Sequence, residues 1–374
     1  MLTNPTLRLA AALAAALLLA SVGEAAADEM TDVYARIIAN PVDSELNLQY
    51  ALLAEGRGEY RKALAAYERV LVNDPDNEAA RRGLQRIRRI IEPAVTLKTL
   101  ELGTTVDTNP THDAAGSPAD VSGYGRLSVR DERPVGGLRW RTIFNAYGEA
   151  HARETQLNYA SLNAETGPLI DLDGSMATFR PAIGGGAAAF DGRFYYWDIN
   201  ASGTLEGYLQ GAYQWVRLRA GYRQYDPSFT ADRGFYADLT GKLSFKDVIH
   251  ERDVFSLSPH ARWSGIDGLP DNGATEFATG LYVEGGGTVE YAKVVTEILT
   301  ASVNFRVNQR WYRDIGSGAR ADLLLSPGAS LVLNGLFGVQ TDLRFDYRYE
   351  RNDSNDDAHD WQNHVFKLAL TARR

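Results

Sequence analysis

The segment from Val339 to Glu350 alternates between two kinds of side chain. Every second side chain is apolar, aromatic or Thr, and those between form a polar row of Gln340, Asp342, Arg344, Asp346, Arg348 and Glu350. Because alternate side chains of a strand point to opposite faces, this strand has one apolar face and one ionic face. Lipid outside and a wet lumen inside suit such a strand, which indicates a transmembrane β-barrel. The near balance of charge in the row predicts a paired, structured lumen wall.

The same period of two runs from Val95 to Arg374 and predicts an all-β transmembrane barrel of about 14 antiparallel strands over residues 95–374. Longer polar stretches follow strands 1, 7, 9, 11 and 13, whereas the connections after strands 3 and 5 are short and do not fit this parity. Tight connections follow strand 2 (Arg133 to Val135) and strand 12 (Asn334-Gly335), as expected for an even-stranded barrel. The predicted strands span residues 95–106, 121–132, 136–150, 154–166, 174–185, 190–206, 209–224, 234–248, 251–263, 276–292, 296–310, 319–332, 336–350 and 359–373.

Two strands carry the side chains that we predict to face the lumen. If the apolar side chains of these strands face lipid, their charged neighbours point inward. The interpretation we favour is that these charges pair with one another across the lumen, and the alternative is an ion-selective or saccharide-selective constriction. The candidate lumen-facing residues are Arg217, Arg219, Arg223, Asp342, Arg344, Asp346 and Arg348.

Residues 1–27 are predicted to be a secretory signal peptide. Arg8 supplies the positive charge, an apolar stretch runs from Leu9 to Val22, and Ala25-Ala26-Ala27 offers a small-residue cleavage site. No later apolar run approaches the roughly 18 residues of a spanning helix, so we expect an exported protein in the cell outer membrane, surrounded by its lipid. The chain has no Cys, which excludes a disulfide framework, and its net charge of −9 argues against nucleic-acid binding.

Residues 28–92 have a helical period and are predicted to form a small periplasmic α-helical domain with one tetratricopeptide-like repeat. Asn40-Pro41 recurs as Asp74-Pro75, and this spacing of 34 residues is the period of that repeat. Small residues would let two helices approach, with a Gly at the turn, two Tyr in the groove and a Pro after the second helix. The candidate repeat-packing residues are Ala51, Gly58, Tyr60, Ala63, Tyr67 and Pro75.

A periplasmic tetratricopeptide segment followed directly by such a barrel resembles the surface lipoprotein assembly modifiers (the Slam family). Leu102 to Asn109 is similar to the family's segment ending in an Asp/Asn pair, and Tyr347 to Asn355 is similar to its penultimate strand running into an Asn-x-Ser-Asn loop. The helical part is shorter than is usual for the family, and the chain closes on Arg373-Arg374 where many barrels end on Phe. The resemblance implies an outer-membrane translocon component that assists surface display or secretion. A lipoprotein or secreted protein would be its substrate, and the barrel-assembly machinery a further partner.

No residue pattern predicts a catalytic site, a cofactor or a metal ion. The six His lack zinc-site spacing, the acidic loop at residues 353–360 is interpreted as a solvated loop, and Asp171 and Asp173 as part of a turn. Three alternatives to the translocon remain: an exopolysaccharide export channel, a passive porin with a periplasmic repeat domain, and an outer-membrane enzyme, which the lack of a catalytic constellation disfavours. The alternative to the predicted fold is a soluble all-β protein fused to a repeat.

Overall fold

The computed structural model describes residues 29–136, 138–172, 177–209, 212–268, 280–313, 319–336 and 340–374. The chain divides into two compact units, one holding the N-terminal helices and the other the strands. Within the described residues, the α-helices are α1 at residues 29–39, α2 at Ser44–Gly56, α3 at Tyr60–Asn73 and α4 at Glu78–Ile91. Among the described residues, no helix is both long enough and apolar enough to cross a membrane.

Small residues bring the helices of the first unit close together. Ala51 of α2 and Ala63 of α3 are fully buried, and Gly58 adopts a positive φ of 74° in the turn between these helices. Tyr67 of α3 is also fully buried, and its ring lies against Gly83 of α4, where a Cβ atom would come within 2.2 Å of the ring. A larger residue than Gly at this position would therefore separate α3 from α4.

A polar cluster joins the same three helices. The Tyr67 hydroxyl donates a hydrogen bond of 2.6 Å to Glu55, and Arg86 donates to both oxygens of the same carboxylate, with Nη2 at 2.8 Å. Burial raises the pKa of Glu55, but the bonds from Arg86 and Tyr67 outweigh it and hold this pKa below its usual value of 4.5. Burial and the bond to Glu55 raise the pKa of Tyr67. The carboxylate is thus ionised and ties α2 to α3 and α4 near neutral pH.

The predicted repeat-packing residues divide between the interior and the turns. Ala51, Ala63 and Tyr67 are buried, and Tyr60 packs at the edge of the same cluster. Gly58 and Pro75 lie exposed in the connections after α2 and α3. Asn47 of α2 is also buried, and its side chain donates to the carbonyl oxygens of Pro41 and Asp43 at 3.0 and 2.8 Å.

The second unit is a closed barrel of fourteen antiparallel strands, which confirms the predicted fold class. Each strand pairs with the next along the chain, and the first pairs with the last. The strands are β1 Val95–Asp107, β2 Asp120–Val135, β3 Leu138–His151, β4 Tyr159–Asp171, β5 Ala177–Phe190, β6 Arg193–Leu209, β7 Ala212–Tyr225, β8 Ala231–Lys246, β9 Asp253–Gly268, β10 Leu281–Val294, β11 Leu299–Tyr312, β12 Ala321–Asn334, β13 Thr341–Ser354 and β14 Trp361–Arg373.

The outer surface of the barrel is apolar because one side chain in two points away from the lumen. Phe345 on β13 is 43% exposed, whereas its neighbours Arg344 and Asp346 form an ion pair at 2.7 Å. The same alternation gives exposed large apolar side chains on strands around the barrel, including Leu102, Val121, Phe144, Leu162, Ile183, Ile199, Leu218, Phe235, Leu257, Val283, Phe305, Leu331 and Leu368. This exterior suits a lipid environment.

All but two of the predicted strand boundaries differ from the observed ones by one to five residues, and three of these differences have a local cause. Strand 4 begins at Tyr159 instead of residue 154, because Thr155–Leu157 form a 3-10 turn within the connection from β3. Arg133 to Val135 belong to β2, so the connection after this strand begins only at residue 136. After β12, Asn334-Gly335 does not form a two-residue hairpin: the Gly335 N–H donates to Asp342 at 3.3 Å, and β13 begins only at Thr341. Val339 and Asp173 lie outside the described residues.

Side chains lock the seam at which β1 meets β14. Asn363 accepts hydrogen bonds of 3.0 Å from the Thr108 hydroxyl and from the Asn109 N–H. The Asn109 side chain in turn donates to the Gln362 carbonyl at 3.2 Å and accepts from the N–H groups of Asp113 and Ser117, both at 3.1 Å. Asn109 and Asn363 are both buried. The first long connection, residues 108–119, is therefore folded onto the last strand.

Candidate functional site in the barrel lumen

The wall of the lumen built mainly by β4 to β9 is filled by ion pairs. Glu165 of β4 lies 2.7 Å from Arg180 and also binds Arg217, while Asp238 of β8 lies 2.6 Å from both Arg219 and Arg262. Only 3% of Arg180 and of Asp238 is exposed. Because a buried charge that loses its partner costs roughly 3–5 kcal/mol, this network makes the wall rigid and leaves its charges no freedom to act on a solute.

Two further buried arginines, Arg223 and Arg141, extend the network. Arg223 of β7 binds Asp198 at 2.8 Å, and its guanidinium lies over the Tyr196 ring at 3.8 Å. Arg141 of β3 bridges Glu132 at 2.6 Å and Glu206 at 2.8 Å. This half of the lumen is therefore occupied mainly by ion pairs, in which each carboxylate binds one or two guanidinium groups.

A cavity of about 840 Å³ occupies the opposite half of the lumen. It is lined by side chains of β1 to β3 and of β10 to β14, together with residues of the adjoining long connections. The charged lining consists of eight carboxylates and seven Arg or Lys side chains: Glu101, Asp107, Glu149, Glu284, Glu290, Asp322, Asp346, Glu350, Arg126, Arg306, Arg310, Arg320, Arg344, Arg348 and Lys367.

Most of these cations are paired within one strand or between neighbouring strands. Arg348 binds Glu350 at 2.8 Å, Arg320 binds Asp322 at 2.6 Å, and Arg310 binds Glu284 at 2.5 Å. Glu284 also contacts His260 Nε2 at 3.2 Å. Pairs of this kind present a hydrogen-bonding surface to water and to polar solutes, because each partner keeps donors or acceptors that the other does not satisfy.

Aromatic side chains are a minor part of the lining. Trp361 at the start of β14 stacks on His112 with ring centroids 4.0 Å apart, and Tyr147 of β3 lies beneath Arg126 at 5.4 Å. With Tyr347 these are the aromatic rings of the lining, against fifteen charged side chains of Asp, Glu, Arg and Lys. The cavity is consequently suited to small polar or charged solutes more than to stacking of many sugar rings.

The structure separates the predicted lumen-facing residues into three groups. Arg344, Asp346 and Arg348 line the cavity. Arg217, Arg219 and Arg223 belong to the filled wall, and Asp342 lies outside the lining and pairs with Arg373 at 2.5 Å.

Sequence reasoning did not single out Arg126 or Arg306, which also line the cavity. Arg306 stands in the polar row of β11 between Asn304 and Asn308, so the alternation of that strand contains the signal for it.

The acidic loop at residues 353–360 holds its charges within local turns. Asp356 contacts His359 Nδ1 at 2.9 Å, and Asp360 accepts from the Ser354 N–H at 2.5 Å. Within the described residues, no three His, Asp or Glu side chains are grouped so as to hold a metal ion.

No protein-family model matches the chain, and neither does any curated protein. Solved structures similar to it include a bacterial polysaccharide outer membrane secretin, with a TM-score of 0.42 and 9% identity over 74% of this chain and 98% of that one. The outer membrane channel DcaP of Acinetobacter baumannii has a TM-score of 0.43 and 9% identity, over 76% of this chain and 98% of that one. The outer membrane protein opdK of Pseudomonas aeruginosa has a TM-score of 0.38 and 10% identity, over 75% of this chain and 99% of that one. At these values the similarity says nothing about substrate. The closed barrel with its apolar exterior belongs to an outer-membrane protein, as predicted.

Proposed function

We propose that this protein is an outer-membrane channel that admits small polar solutes through a narrow lumen. One observation carries the proposal: a polar cavity of about 840 Å³ lies beside a wall whose remaining lumen charges are locked in ion pairs. Such a cavity accommodates a small solute with part of its hydration shell, whereas a folded protein domain is many times larger. The function involves no covalent chemistry.

Conductance in planar lipid bilayers tests the proposal directly. Protein whose folded state is verified by heat-dependent electrophoretic mobility should give stepwise current increases, and the heat-unfolded sample should give none. Bilayers that stay silent after insertion of verified folded protein would refute the channel.

The absence of Cys from the chain allows a sharper version of the test. Thr288 lines the cavity, and the adjacent Val289 is 40% exposed on the outer face. A bulky thiol reagent should therefore reduce the current of the Thr288→Cys variant and leave that of the matched Val289→Cys variant unchanged. Equal effects at both positions would show that current does not pass through this cavity.

Second, we propose a role in the surface display or secretion of a lipoprotein or other protein, which the helical unit favours. Its α2–α3 hairpin has the spacing and the small buried residues of a tetratricopeptide-like repeat, a scaffold whose stacked helices offer a binding face. Deletion of the gene, followed by protease shaving of intact cells, should then reduce the exposure of at least one surface protein. A variant lacking residues 29–92 should show the same loss while still conducting in bilayers. Unchanged exposure of every surface protein in both strains would exclude this role.

A further inference from the structure

Among the residues that the structure describes, two of the seven Arg and Lys side chains in the cavity lining form no ion pair with a carboxylate. Arg310, Arg320, Arg344, Arg348 and Lys367 each lie within 4 Å of a carboxylate oxygen. In the part of the chain that the structure describes, Arg126 of β2 and Arg306 of β11 make no such ion pair, although both line the cavity. Their charges are the ones available to a solute.

Arg126 is positioned by an aromatic ring that leaves its donors free. Its guanidinium lies 5.4 Å from the centroid of the Tyr147 ring. Stacking on an aromatic face holds a guanidinium by cation–π attraction and leaves the N–H groups at its edge unoccupied. The carboxylate nearest along the sheet, Glu101, is already engaged by Lys367 at 3.5 Å and by the Tyr124 hydroxyl at 3.0 Å. Arg126 therefore keeps both its charge and its donors.

Arg306 is positioned by a neutral amide. With its oxygen turned toward the guanidinium, Asn308 accepts from Arg306 Nη2 at 2.7 Å and from Nε at 3.2 Å. An amide orients the guanidinium but carries no charge to neutralise it. The neighbouring carboxylates Glu284 and Glu350 are each taken by another arginine, Arg310 and Arg348.

The unpaired cations lie in the middle of their strands, and the carboxylates without an Arg or Lys partner lie toward the ends. Arg126 and Arg306 are both at least six residues from either end of β2 and β11. Asp107 is the last residue of β1, Glu149 lies two residues before the end of β3, and Glu290 lies four residues before the end of β10. The lining is nearly neutral in total, and Arg126 and Arg306 place in its middle two positive charges that no direct ion pair with a carboxylate neutralises.

We propose that Arg126 and Arg306 each bind the oxyanion group of a small solute, a carboxylate or a phosphate, as it passes through the lumen. The planar fork of a guanidinium matches both groups with two parallel hydrogen bonds. This inference rests on the proposed channel function and adds the class of solute to it.

Ion selectivity in a planar bilayer tests the inference. Under a potassium chloride gradient, the reversal potential of the unmodified channel should show preference for chloride. The double variant Arg126→Gln/Arg306→Gln should lower the anion-to-cation permeability ratio at least about fivefold, the factor that a single charge at about 4 Å contributes in water. The matched control is Arg351→Gln, which removes an exposed arginine paired with Asp353 outside the cavity. This control should leave the permeability ratio unchanged.

Added anions identify the group that binds. Citrate should reduce the chloride current if carboxylates are the solutes, and inorganic phosphate should reduce it if phosphates are, with neither effect in the double Gln variant. The Arg126→Lys/Arg306→Lys variant should keep the chloride preference but lose most of the block, because an ammonium group lacks the fork. A conducting channel whose selectivity and block are the same in the unmodified protein and the double Gln variant would overturn the inference and leave the channel function standing.

Calorimetric titration of the detergent-solubilised protein with citrate and with phosphate separates the two proposals. A protein that binds either anion through these arginines but carries no current would retain the binding site and refute the channel. Absence of both current and binding would refute both proposals.

Discussion

Replacing Gly83 by Ala should destabilise the helical unit, although Ala is the better helix former. The substitution gains about 1 kcal/mol of helix propensity. Against this, the new Cβ would lie 2.2 Å from a ring atom of the buried Tyr67. Overpacking of a core costs about 1–3 kcal/mol. Displacement of the ring also breaks its hydrogen bond to the Glu55 carboxylate, a loss of about 1.5–3 kcal/mol for a bond to a charged group. We expect a net loss of about 1.5–5 kcal/mol in the free energy of unfolding.

Thermal unfolding of the full-length protein in detergent, followed by far-UV circular dichroism at the helical minimum, measures this loss. For a domain of this size, 1 kcal/mol shifts the Tm by about 4–8 °C, so the Tm of the helical transition should fall by at least about 6 °C. The matched control is Gly56→Ala at the end of α2, where a Cβ meets no atom within 4 Å and should raise the Tm slightly.

The double variant Tyr67→Leu/Gly83→Ala provides the second control. With the ring removed, Gly83→Ala should cost little relative to Tyr67→Leu alone. A Gly83→Ala variant as stable as the unmodified protein would show that the close contact between α3 and α4 does not exist.

Three further predictions concern the pH dependence of the helices, a turn of the barrel and its outer surface. Because the pKa of Glu55 in the folded protein lies below 4.5, its stabilisation is present above that pH and is lost as the pH falls through the folded pKa; the helical Tm should drop on acidification, and Glu55→Gln should flatten the profile. Asp253 accepts hydrogen bonds from three consecutive N–H groups at residues 248–250, at 2.7 to 3.1 Å. Asp253→Ala should therefore lower the urea midpoint of refolding into vesicles by the equivalent of about 2 kcal/mol or more, whereas Glu251→Ala in the same turn should not. Phe345→Arg on the outer face should cost about 2–4 kcal/mol and reduce the heat-shifted folded band on gels, and a band as strong as that of Phe345→Leu would show that this face does not meet lipid.

The number and direction of the strands could be predicted because the barrel repeats one simple constraint. Lipid on one side and water on the other require every strand to alternate, and this pattern survives loop insertions. The boundaries were less predictable where a polar connection itself resembles a strand. Thr155–Leu157 was predicted to be part of strand 4, but it forms a turn stabilised by its own backbone hydrogen bonds. At Gly335 the favourable turn dipeptide is present, but its N–H binds Asp342 instead of closing a two-residue hairpin.

The partners of the lumen charges could not be predicted from the sequence. Glu165 of β4 binds Arg217 of β7, three strands away, and this contact depends on strand stagger and on the side chains that cross the lumen. Arg306 was more accessible to prediction, since alternation along β11 already placed it on the polar face. Arg306 lacks a carboxylate partner because Arg310 and Arg348 bind the nearby Glu284 and Glu350. Only the three-dimensional arrangement reveals these pairs.

The hydrogen bond between Asn109 and Asn363 makes the order of the first long connection an indicator of barrel closure. These residues are 254 positions apart in the sequence, so the hydrogen bonds that order residues 108–119 against β14 can form only after the last strand has been placed. Joining such distant segments costs conformational entropy, and this cost is lowest at the end of folding, when the strands between them are already paired. An assembly intermediate that lacks β14 should therefore expose this connection to protease, whereas the closed barrel should protect it. Cleavage between residues 108 and 119 would mark the time at which each chain completes its ring.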